Sequence, residues 1–88
     1  MSSEVVLYGR PGCHLCDDAR AAVLRVRERA PFALTEVDIE SDDTLLERYL
    51  ERIPVVAVDG EEVFELFVDE GGLLAALRAS NSRASGGP

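Results

Sequence analysis

Two cysteines separated by two residues are the most reactive side chains in this sequence. Cys13 and Cys16 are the chain's only cysteines. A Cys-x-x-Cys segment brings its two sulfur atoms close together when it begins a helix. Such a pair can exchange electrons with another disulfide, or it can donate two thiolates to a metal ion. The residues around the pair decide between these two chemistries.

The position of each cysteine predicts a different role for it. The break at Arg10-Pro11-Gly12 places Cys13 at the start of a helix, where unpaired N–H groups and the helix dipole favour a thiolate. Arg10 is a permanent cation that can approach the same sulfur. Cys16 lies one turn further along, and we expect it to be more buried. We therefore predict that Cys13 attacks a disulfide and that Cys16 resolves the mixed disulfide.

Two further residues are candidates for tuning this site. His14 lies between the cysteines, and as an imidazolium it would favour the thiolate and make the pair more oxidising. The alternative for His14 is a solvated surface side chain. Tyr8 either lines a groove near Cys13 or packs at the end of a strand. The sequence leaves both pairs of alternatives open.

The first half of the chain predicts a strand, a helix and a second strand. The apolar run of residues 4–9 is typical of a strand buried on both faces. From Cys13 onward, apolar residues recur at steps of three and four, which predicts an amphipathic helix that ends before Pro31. The apolar stripe of this helix is Leu15, Ala19, Ala22, Val23, Val26 and Ala30. Residues 32–39 predict the second strand.

The second half of the chain predicts a short helix, a hairpin and a last helix. Ser41-Asp42-Asp43 supplies a helix cap and first-turn carboxylates. The apolar side of the short helix is Leu45, Leu46, Tyr49 and Leu50. Residues 53–58 and 63–68 predict two strands, and the tight-turn pair Asp59-Gly60 between them predicts an antiparallel hairpin. The last helix opens at residues 69–70.

This element order predicts a three-layer α/β sandwich. The order is β-α-β-α-β-β-α, and the first helix crosses between two strands that must therefore be parallel. The hairpin completes a mixed four-stranded sheet with helices on both faces. We predict a single domain over residues 1–79 and a flexible Ser/Gly/Pro tail over residues 80–88.

The order and its motifs together resemble the thioredoxin fold in its small glutaredoxin form, over about residues 4–79. The segment 7–16 is similar to a glutaredoxin active-site segment, in which Arg10 matches a lysine of the family. Ile53-Pro54 is similar to the family's Val-Pro, whose proline is cis. The resemblance implies that the Pro54 ring lies against the sulfur pair and that the Ile53 backbone is free to pair with an extended substrate. A proline that merely begins an edge strand is the alternative.

The chain is more closely similar to short bacterial glutaredoxin-like proteins that keep Cys-x-x-Cys. Glutaredoxins that use glutathione carry a Gly-Gly-x-Asp-type turn before the last helix. Here residues 69–74 keep the two glycines, but Leu73 and Leu74 stand where the acid would be. This departure from the family's turn therefore predicts weak glutathione binding. The expected partner is a disulfide-containing protein or another low-molecular-weight thiol.

Charge and hydropathy exclude several other classes of protein. The 88 residues carry a formal net charge of −8, which argues against nucleic acid and anionic membranes as partners. Residues 36–70 hold thirteen carboxylates against two arginines. That surface is either simply solvated or selects basic protein partners. No apolar run exceeds five residues, and the first residues lack a secretory pattern. We expect a cytoplasmic monomer without a cofactor.

Two other functions compete with thiol–disulfide exchange. A metal-binding module would need four ligands for zinc, whereas this chain offers two cysteines and His14 between them. A dimer could share two such pairs, and Cu(I) could accept two thiolates. A non-catalytic thioredoxin-fold interaction domain would need neither cysteine. We therefore favour a thiol–disulfide oxidoreductase.

Overall fold

A four-stranded sheet with helices on both faces forms the protein. The computed structural model describes the backbone of residues 3–86 and the side chains of residues 3–80. The elements are β1 (Glu4–Gly9), α1 (His14–Arg29), β2 (Ala33–Asp38), a 3₁₀ turn (Ile39–Ser41), α2 (Asp43–Tyr49), β3 (Val55–Val58), β4 (Glu61–Glu65) and α3 (Glu70–Gly86). The predicted order of strands and helices is confirmed.

The sheet is mixed, as the crossover helix requires. The strand order is β2-β1-β3-β4. β1 runs parallel to β2, from the pair Glu4–Ala33 to the pair Gly9–Asp38. β3 is antiparallel to both β1 and β4. β1 is a central strand, so the chain leaves the sheet at Gly9 between β2 and β3. The segment that leads into α1 therefore begins near the middle of this end of the sheet.

The two faces of the sheet carry two separate apolar clusters. Side chains alternate between faces along a strand, so Val55 and Val56 point in opposite directions. The face covered by α1 and α3 buries Val5, Leu7, Ala19, Val23, Val26, Phe32, Val56, Val58, Leu73 and Leu77. The smaller cluster, under α2, buries Cys16, Ile39, Tyr49, Ile53 and Val55. The second cysteine of the motif is therefore part of the smaller core.

The two strands of the hairpin have different bounds from those predicted from the sequence. β3 begins at Val55 rather than at residue 53, and β4 spans Glu61–Glu65 rather than 63–68. Asp59 and Gly60 both have positive φ, 49° and 87°, so they form a two-residue turn and pairing resumes at Glu61. Leu66, with φ of 72°, then ends β4.

Two leucines assigned to the interior are exposed. Leu15, the first residue of the predicted α1 stripe, is 52 % exposed, whereas its neighbour Cys16 is buried. Leu50 is exposed beyond the end of α2, whereas Tyr49 is buried. The helical rotation at each site places the neighbouring residue, Cys16 or Tyr49, on the inward face, so the apolar pattern included one leucine too many at an end of each helix.

Asp59 joins three segments at the end of the sheet opposite the cysteines. Its backbone N–H donates to the Glu4 carbonyl over 2.8 Å. Its Oδ1 accepts from the Glu4 N–H, also over 2.8 Å. Its Oδ2 accepts from the hydroxyl of Ser80, a buried residue in α3. We call this set of contacts the Asp59 junction.

α3 carries the chain to the end of the described part. Its side chains beyond residue 80 lie outside the described residues, as do residues 1–2 and 87–88. The predicted division into a domain at 1–79 and a flexible tail at 80–88 therefore stays a prediction. Across the described part of the chain, no helix combines the length and the apolar character needed to cross a membrane.

Candidate functional site

Cys13 occupies the cap position of α1. Its backbone is extended, with φ of −97° and ψ of 112°, and its Sγ accepts a hydrogen bond from the Cys16 N–H over 3.2 Å. Gly12 precedes it with φ of 77°, a conformation that glycine adopts without strain. The half-buried Cys13 sulfur therefore stands where the first N–H groups of the helix point.

Cys16 lies one turn further along and is 8 % exposed. It packs against β1 so closely that a Cβ on Gly9 would lie 3.1 Å from its Sγ. Burial and, after it, the hydrogen bond with Cys13 raise the pKa of the Cys16 thiol from 9.0 to about 11. A hydrogen bond from the Arg10 backbone opposes this by lowering the pKa. Cys16 is therefore a protonated thiol at neutral pH.

Arg10 and His14 flank Cys13 in the chain. The Arg10 side chain is directed toward Glu40, with 3.9 Å between its Nε and Oε2 of Glu40. Its hydrogen bond to the site comes from its backbone, and it goes to Cys16. His14, the first residue of α1, is exposed. The roles of both residues in tuning a thiolate stay predictions.

The Ile53–Pro54 peptide bond is cis, the form that the family resemblance implies. Pro54 is fully buried, and Ile53 lies in the same apolar cluster as Cys16. The Ile53 N–H, however, donates to the Tyr49 carbonyl over 3.0 Å. The expectation of a free Ile53 backbone is therefore wrong for its N–H group, because the last turn of α2 uses it.

Tyr8 forms an aromatic stack beneath the site. Its ring lies parallel to that of Tyr49, with 4.4 Å between centroids and 19° between planes. The Tyr49 hydroxyl donates to Glu62 over 2.7 Å. Burial and this carboxylate raise the pKa of Tyr49 to about 12. Of the two alternatives for Tyr8, packing at the strand end is the one that this stack fits.

A charged network that the sequence analysis missed holds Tyr49 in place. Arg52 donates to Glu62 over 2.6 Å and to Glu65 over 2.8 Å. Its guanidinium lies 5.3 Å from the centre of the Tyr49 ring, and that of Arg48 lies 5.5 Å from it. Hydrogen bonds from Arg52 and Tyr49 lower the pKa of Glu62. The sequence feature that could have indicated this network is the group of acidic residues in β4, together with an arginine just after α2.

The two acidic residues at the start of α3 make contacts within the protein. Asp69 accepts from the Gly72 N–H over 3.0 Å and so caps the helix. Glu70 pairs with Arg25 over 3.0 Å. Leu73 is fully buried. A Cβ on Gly72 would lie 2.9 Å from the Phe64 ring, so this glycine permits the close packing of α3 on β4.

The metal alternative finds no assembled ligand set. Among the described residues, no group of three or more His, Cys, Asp or Glu side chains is placed to hold an ion. Both cysteines are free thiols. The arrangement offers a thiol at a helix start, a buried partner thiol and a cis-proline loop beside that partner.

Several solved structures share this fold. Protein Ne2328 from Nitrosomonas europaea is 29 % identical, with 88 % of this chain and 93 % of that chain covered and a TM-score of 0.76. Protein XcR50 from X. campestris is 36 % identical, with coverage of 85 % and 96 % and a TM-score of 0.73. A thioredoxin variant from Halobacterium salinarum, 22 % identical, covers 89 % of this chain and 74 % of its own at a TM-score of 0.66 and shares the fold. No curated protein sequence matches this chain.

A family profile covers almost the whole described chain. Residues 4–78 match the family described as Glutaredoxin-like domain (DUF836). The match includes both cysteines, the cis-proline loop and the start of α3. The fold is thioredoxin-like, as the mixed sheet and its structural neighbours show. The chain therefore belongs to the glutaredoxin-like domain family.

Proposed function

We propose that this protein is a thiol–disulfide oxidoreductase in which Cys13 attacks and Cys16 resolves. The observation that carries the proposal is the unequal setting of two sulfurs one helical turn apart. Cys13 is half-buried at the helix start, and Cys16 is buried with a raised pKa. Membership of the glutaredoxin-like family supports the same chemistry.

In the first step, Cys13 reacts as a thiolate with a disulfide of the partner. Its Sγ forms a bond to one partner sulfur, and the other partner sulfur leaves as a thiolate. The Cys16 N–H, 3.2 Å from the Cys13 sulfur, stabilises the charge before attack. The helix dipole acts in the same direction. The product is a mixed disulfide between Cys13 and the partner.

In the second step, Cys16 loses its proton and attacks the Cys13 sulfur. The intramolecular disulfide forms, and the partner leaves fully reduced. Two of the effects that raise the Cys16 pKa come from Cys13, namely its hydrogen bond and its charge. Both are lost when Cys13 enters the mixed disulfide. The pKa of Cys16 therefore falls at the stage when its thiolate is needed.

A protein disulfide is the partner that the surroundings favour. Leu15, Leu66 and Phe67 are exposed apolar side chains, and Phe67 is 68 % exposed. The Leu66 N–H donates to the Pro54 carbonyl over 2.9 Å, so this apolar loop adjoins the cis-proline. Exposed apolar side chains next to a reactive site are typical of protein contact surfaces. A reducing compartment such as the cytoplasm suits free cysteines of this kind.

Single cysteine variants test the proposal. With dithiothreitol as reductant, wild type reduces the disulfides of insulin, and Cys13→Ser has no turnover because the attacking sulfur is gone. Cys16→Ser, reduced and then freed of dithiothreitol, should accumulate a mixed disulfide with insulin on Cys13, which mass spectrometry locates. Turnover by Cys13→Ser, or a partner trapped on Cys16, would contradict the assignment. Metal analysis of the purified wild type tests the metal-binding alternative in parallel.

Glutathione should be a poor partner. Its ammonium group must leave water on binding, and an unpaired buried charge costs several kcal/mol. Asp69 and Glu70, the nearby acids, already cap α3 and pair with Arg25. We expect a glutathione-coupled assay of the wild type to show no saturation at low glutathione. Leu74→Asp should bind glutathione more tightly than Leu74→Asn, which lacks the charge. Saturation of the wild type at low glutathione would show that another group holds the tripeptide.

A further inference from the structure

The loop that follows β4 carries two exposed apolar side chains on a strained backbone. Leu66 is 48 % exposed and Phe67 is 68 % exposed. The φ of Leu66 is 72°, a left-handed conformation that a bulky side chain adopts only at an energetic cost. Such a conformation persists only where the surrounding structure holds it, and it is concentrated at functional sites. The contacts that hold Leu66 therefore determine how this loop is presented to solvent.

Arg52 holds this loop through both its side chain and its backbone. Its Nε donates to Oε2 of Glu65, the residue before Leu66, over 2.8 Å. Its carbonyl accepts from the Leu66 N–H over 3.0 Å, and the Pro54 carbonyl accepts from the same N–H over 2.9 Å. Arg52 therefore fixes two successive positions of the chain at the point where β4 ends. We call its contacts with Glu65 and Leu66 the Arg52 clamp.

The Arg52 clamp is itself anchored to the sheet. A second guanidinium nitrogen of Arg52 donates to Oε1 of Glu62 over 2.6 Å. The other carboxylate oxygen of Glu62 accepts from the Tyr49 hydroxyl over 2.7 Å. The guanidinium also lies 5.3 Å from the centre of the Tyr49 ring, and this ring stacks on Tyr8 of β1. The clamp is therefore connected to the strand that leads to the two cysteines.

We propose that Arg52 is a positioning residue that holds Leu66 and Phe67 as a preformed contact surface for the protein whose disulfide Cys13 attacks. Arg52 acts through these two side chains and not by touching the partner itself. The inference rests on the proposed function, because it concerns how a protein partner is bound before its disulfide reacts. It gives a residue outside the Cys-x-x-Cys segment a part in selecting protein disulfides over small ones.

Preorganisation is the physical reason for this role. A flexible loop must become ordered when a partner binds, and the conformational freedom that it loses weakens binding. A loop that is already held in one conformation avoids most of this loss. A fixed aromatic side chain such as Phe67 is also a typical anchor of a protein contact. A small disulfide reacts at Cys13 without covering the loop, so it gains nothing from the clamp.

The ion pairs around Arg52 are too exposed to contribute much to overall stability. The side chains of Arg52, Glu62 and Glu65 are 36 %, 31 % and 54 % exposed. Ion pairs in contact with solvent contribute little to the free energy of unfolding. Breaking them should therefore loosen the loop without unfolding the chain, which distinguishes a positioning role from a purely stabilising one.

The test compares a protein disulfide with a small disulfide. The reduced full-length protein is mixed with excess insulin or excess 2-hydroxyethyl disulfide, and mass spectrometry of acid-quenched samples follows formation of the Cys13–Cys16 disulfide. We expect Arg52→Gln to lower the ratio of the insulin rate constant to the small-disulfide rate constant by about 10-fold. The half-saturating insulin concentration should rise more than the limiting rate falls. Equal losses with both substrates, or an unchanged ratio, would overturn the proposal.

Three further variants locate the effect. Arg20→Gln is the matched control, because it removes the same charge and breaks an ion pair of 2.8 Å between α1 and β2, and it should retain the wild-type ratio. Arg52→Lys keeps the charge but not the planar fork, so it should recover part of the ratio. Glu65→Gln weakens only the bond beside Leu66 and should lower the ratio less than Arg52→Gln. A ratio that falls as far in Arg20→Gln as in Arg52→Gln would contradict the proposal.

A double-mutant cycle determines whether Arg52 acts through Phe67. Phe67→Ala should lower the ratio in the wild-type background but have little further effect in Arg52→Gln, because both changes remove the same contact surface. Additive losses would contradict this coupling. Hydrogen exchange of the Leu66 amide gives a readout that is independent of catalysis, and it should be faster in Arg52→Gln than in Arg20→Gln. Equal exchange in the two variants would contradict the clamp.

The outcomes separate this inference from the proposed function. Oxidation of the wild type by both disulfides that depends on Cys13, with a ratio insensitive to Arg52→Gln, would retain the oxidoreductase and reject the role of Arg52. A wild type whose cysteines react with neither disulfide would contradict the proposed function and this inference with it. A selective loss with insulin, coupled to Phe67 and partly recovered by Arg52→Lys, supports the positioning role.

Discussion

The two ends of the first turn of α1 carry the same side chain in opposite surroundings. At the start, the Cys13 sulfur is half-buried and accepts from a backbone N–H. At the end, the Cys16 sulfur is pressed against β1 and packed in the smaller apolar cluster. The difference shows that the position within one helical turn, and not the residue type, determines the surroundings of each thiol.

Different parts of the fold maintain the two surroundings. The backbone creates the Cys13 setting, through the positive φ of Gly12 and the cap geometry of α1. Packing creates the Cys16 setting, through Gly9 on one side and the cluster under α2 on the other. Substitutions in the packed part should therefore alter Cys16 without removing the reactivity of Cys13.

The sharpest test of the comparison is the alkylation of the reduced wild type. A thiol with a pKa of about 11 holds about 100-fold less thiolate at neutral pH than one at the ordinary value of 9.0. Iodoacetamide should accordingly modify the half-buried Cys13 faster than the buried Cys16, whose raised pKa leaves little thiolate. Peptide mapping by mass spectrometry measures both rates in one sample. The chain unfolded in urea is the control, and its two rates should be similar. Faster modification of Cys16 in the folded protein would reverse the comparison.

The pH dependence of stability tests the burial of Cys16. The folded state raises the pKa from 9.0 to about 11, so it holds the thiol proton more tightly than the unfolded chain. The stabilisation is therefore complete below pH 9 and is lost as the pH rises toward 11. We expect the free energy of unfolding to fall by up to about 2 kcal/mol more in wild type than in Cys16→Ala across this window. Urea unfolding at several pH values measures it, and equal slopes for both proteins would contradict the burial effect.

A smaller effect should follow from crowding Cys16. Gly9→Ala places a Cβ 3.1 Å from the Cys16 sulfur and 3.3 Å from its Cβ, which forces the cysteine to shift. We expect a loss of about 1 kcal/mol in the free energy of unfolding and a slower resolving step. Gly71→Ala is the matched control, because its nearest neighbour would lie at 3.9 Å. Equal stability of the two variants would show that the contact at Gly9 is not tight.

Much of the fold follows from local patterns in the sequence. The apolar run of β1, the stripe of α1 and the Asp59-Gly60 turn each act over a few residues, and they fix the element order. The crossover between β1 and β2 then requires a parallel pair. The roles proposed for Cys13 and Cys16 also start from a local feature, the beginning of α1. The cis-proline loop came from the family resemblance instead.

The features that the sequence did not reveal depend on distant contacts. The stack of Tyr8 on Tyr49 requires the rotation of α2 relative to β1, which no local pattern determines. The bond from Ile53 to the Tyr49 carbonyl requires the helical turn to continue past the end of α2. Arg10 could reach either Cys13 or Glu40, and its side chain lies toward Glu40. Each outcome depends on packing between elements.

The Asp59 junction has a consequence for how the protein opens. It ties the first strand, the hairpin turn and the last helix through hydrogen bonds between residues 55 and 21 positions apart. The amide of Glu4 can exchange its hydrogen with solvent only when its hydrogen bond to the Asp59 carboxylate breaks. If α3 unwinds from its carboxyl end, the hydrogen bond between Ser80 and Asp59 must break before the larger apolar cluster is exposed. We therefore expect the Glu4 amide, at the end of the molecule remote from the cysteines, to be protected from hydrogen exchange.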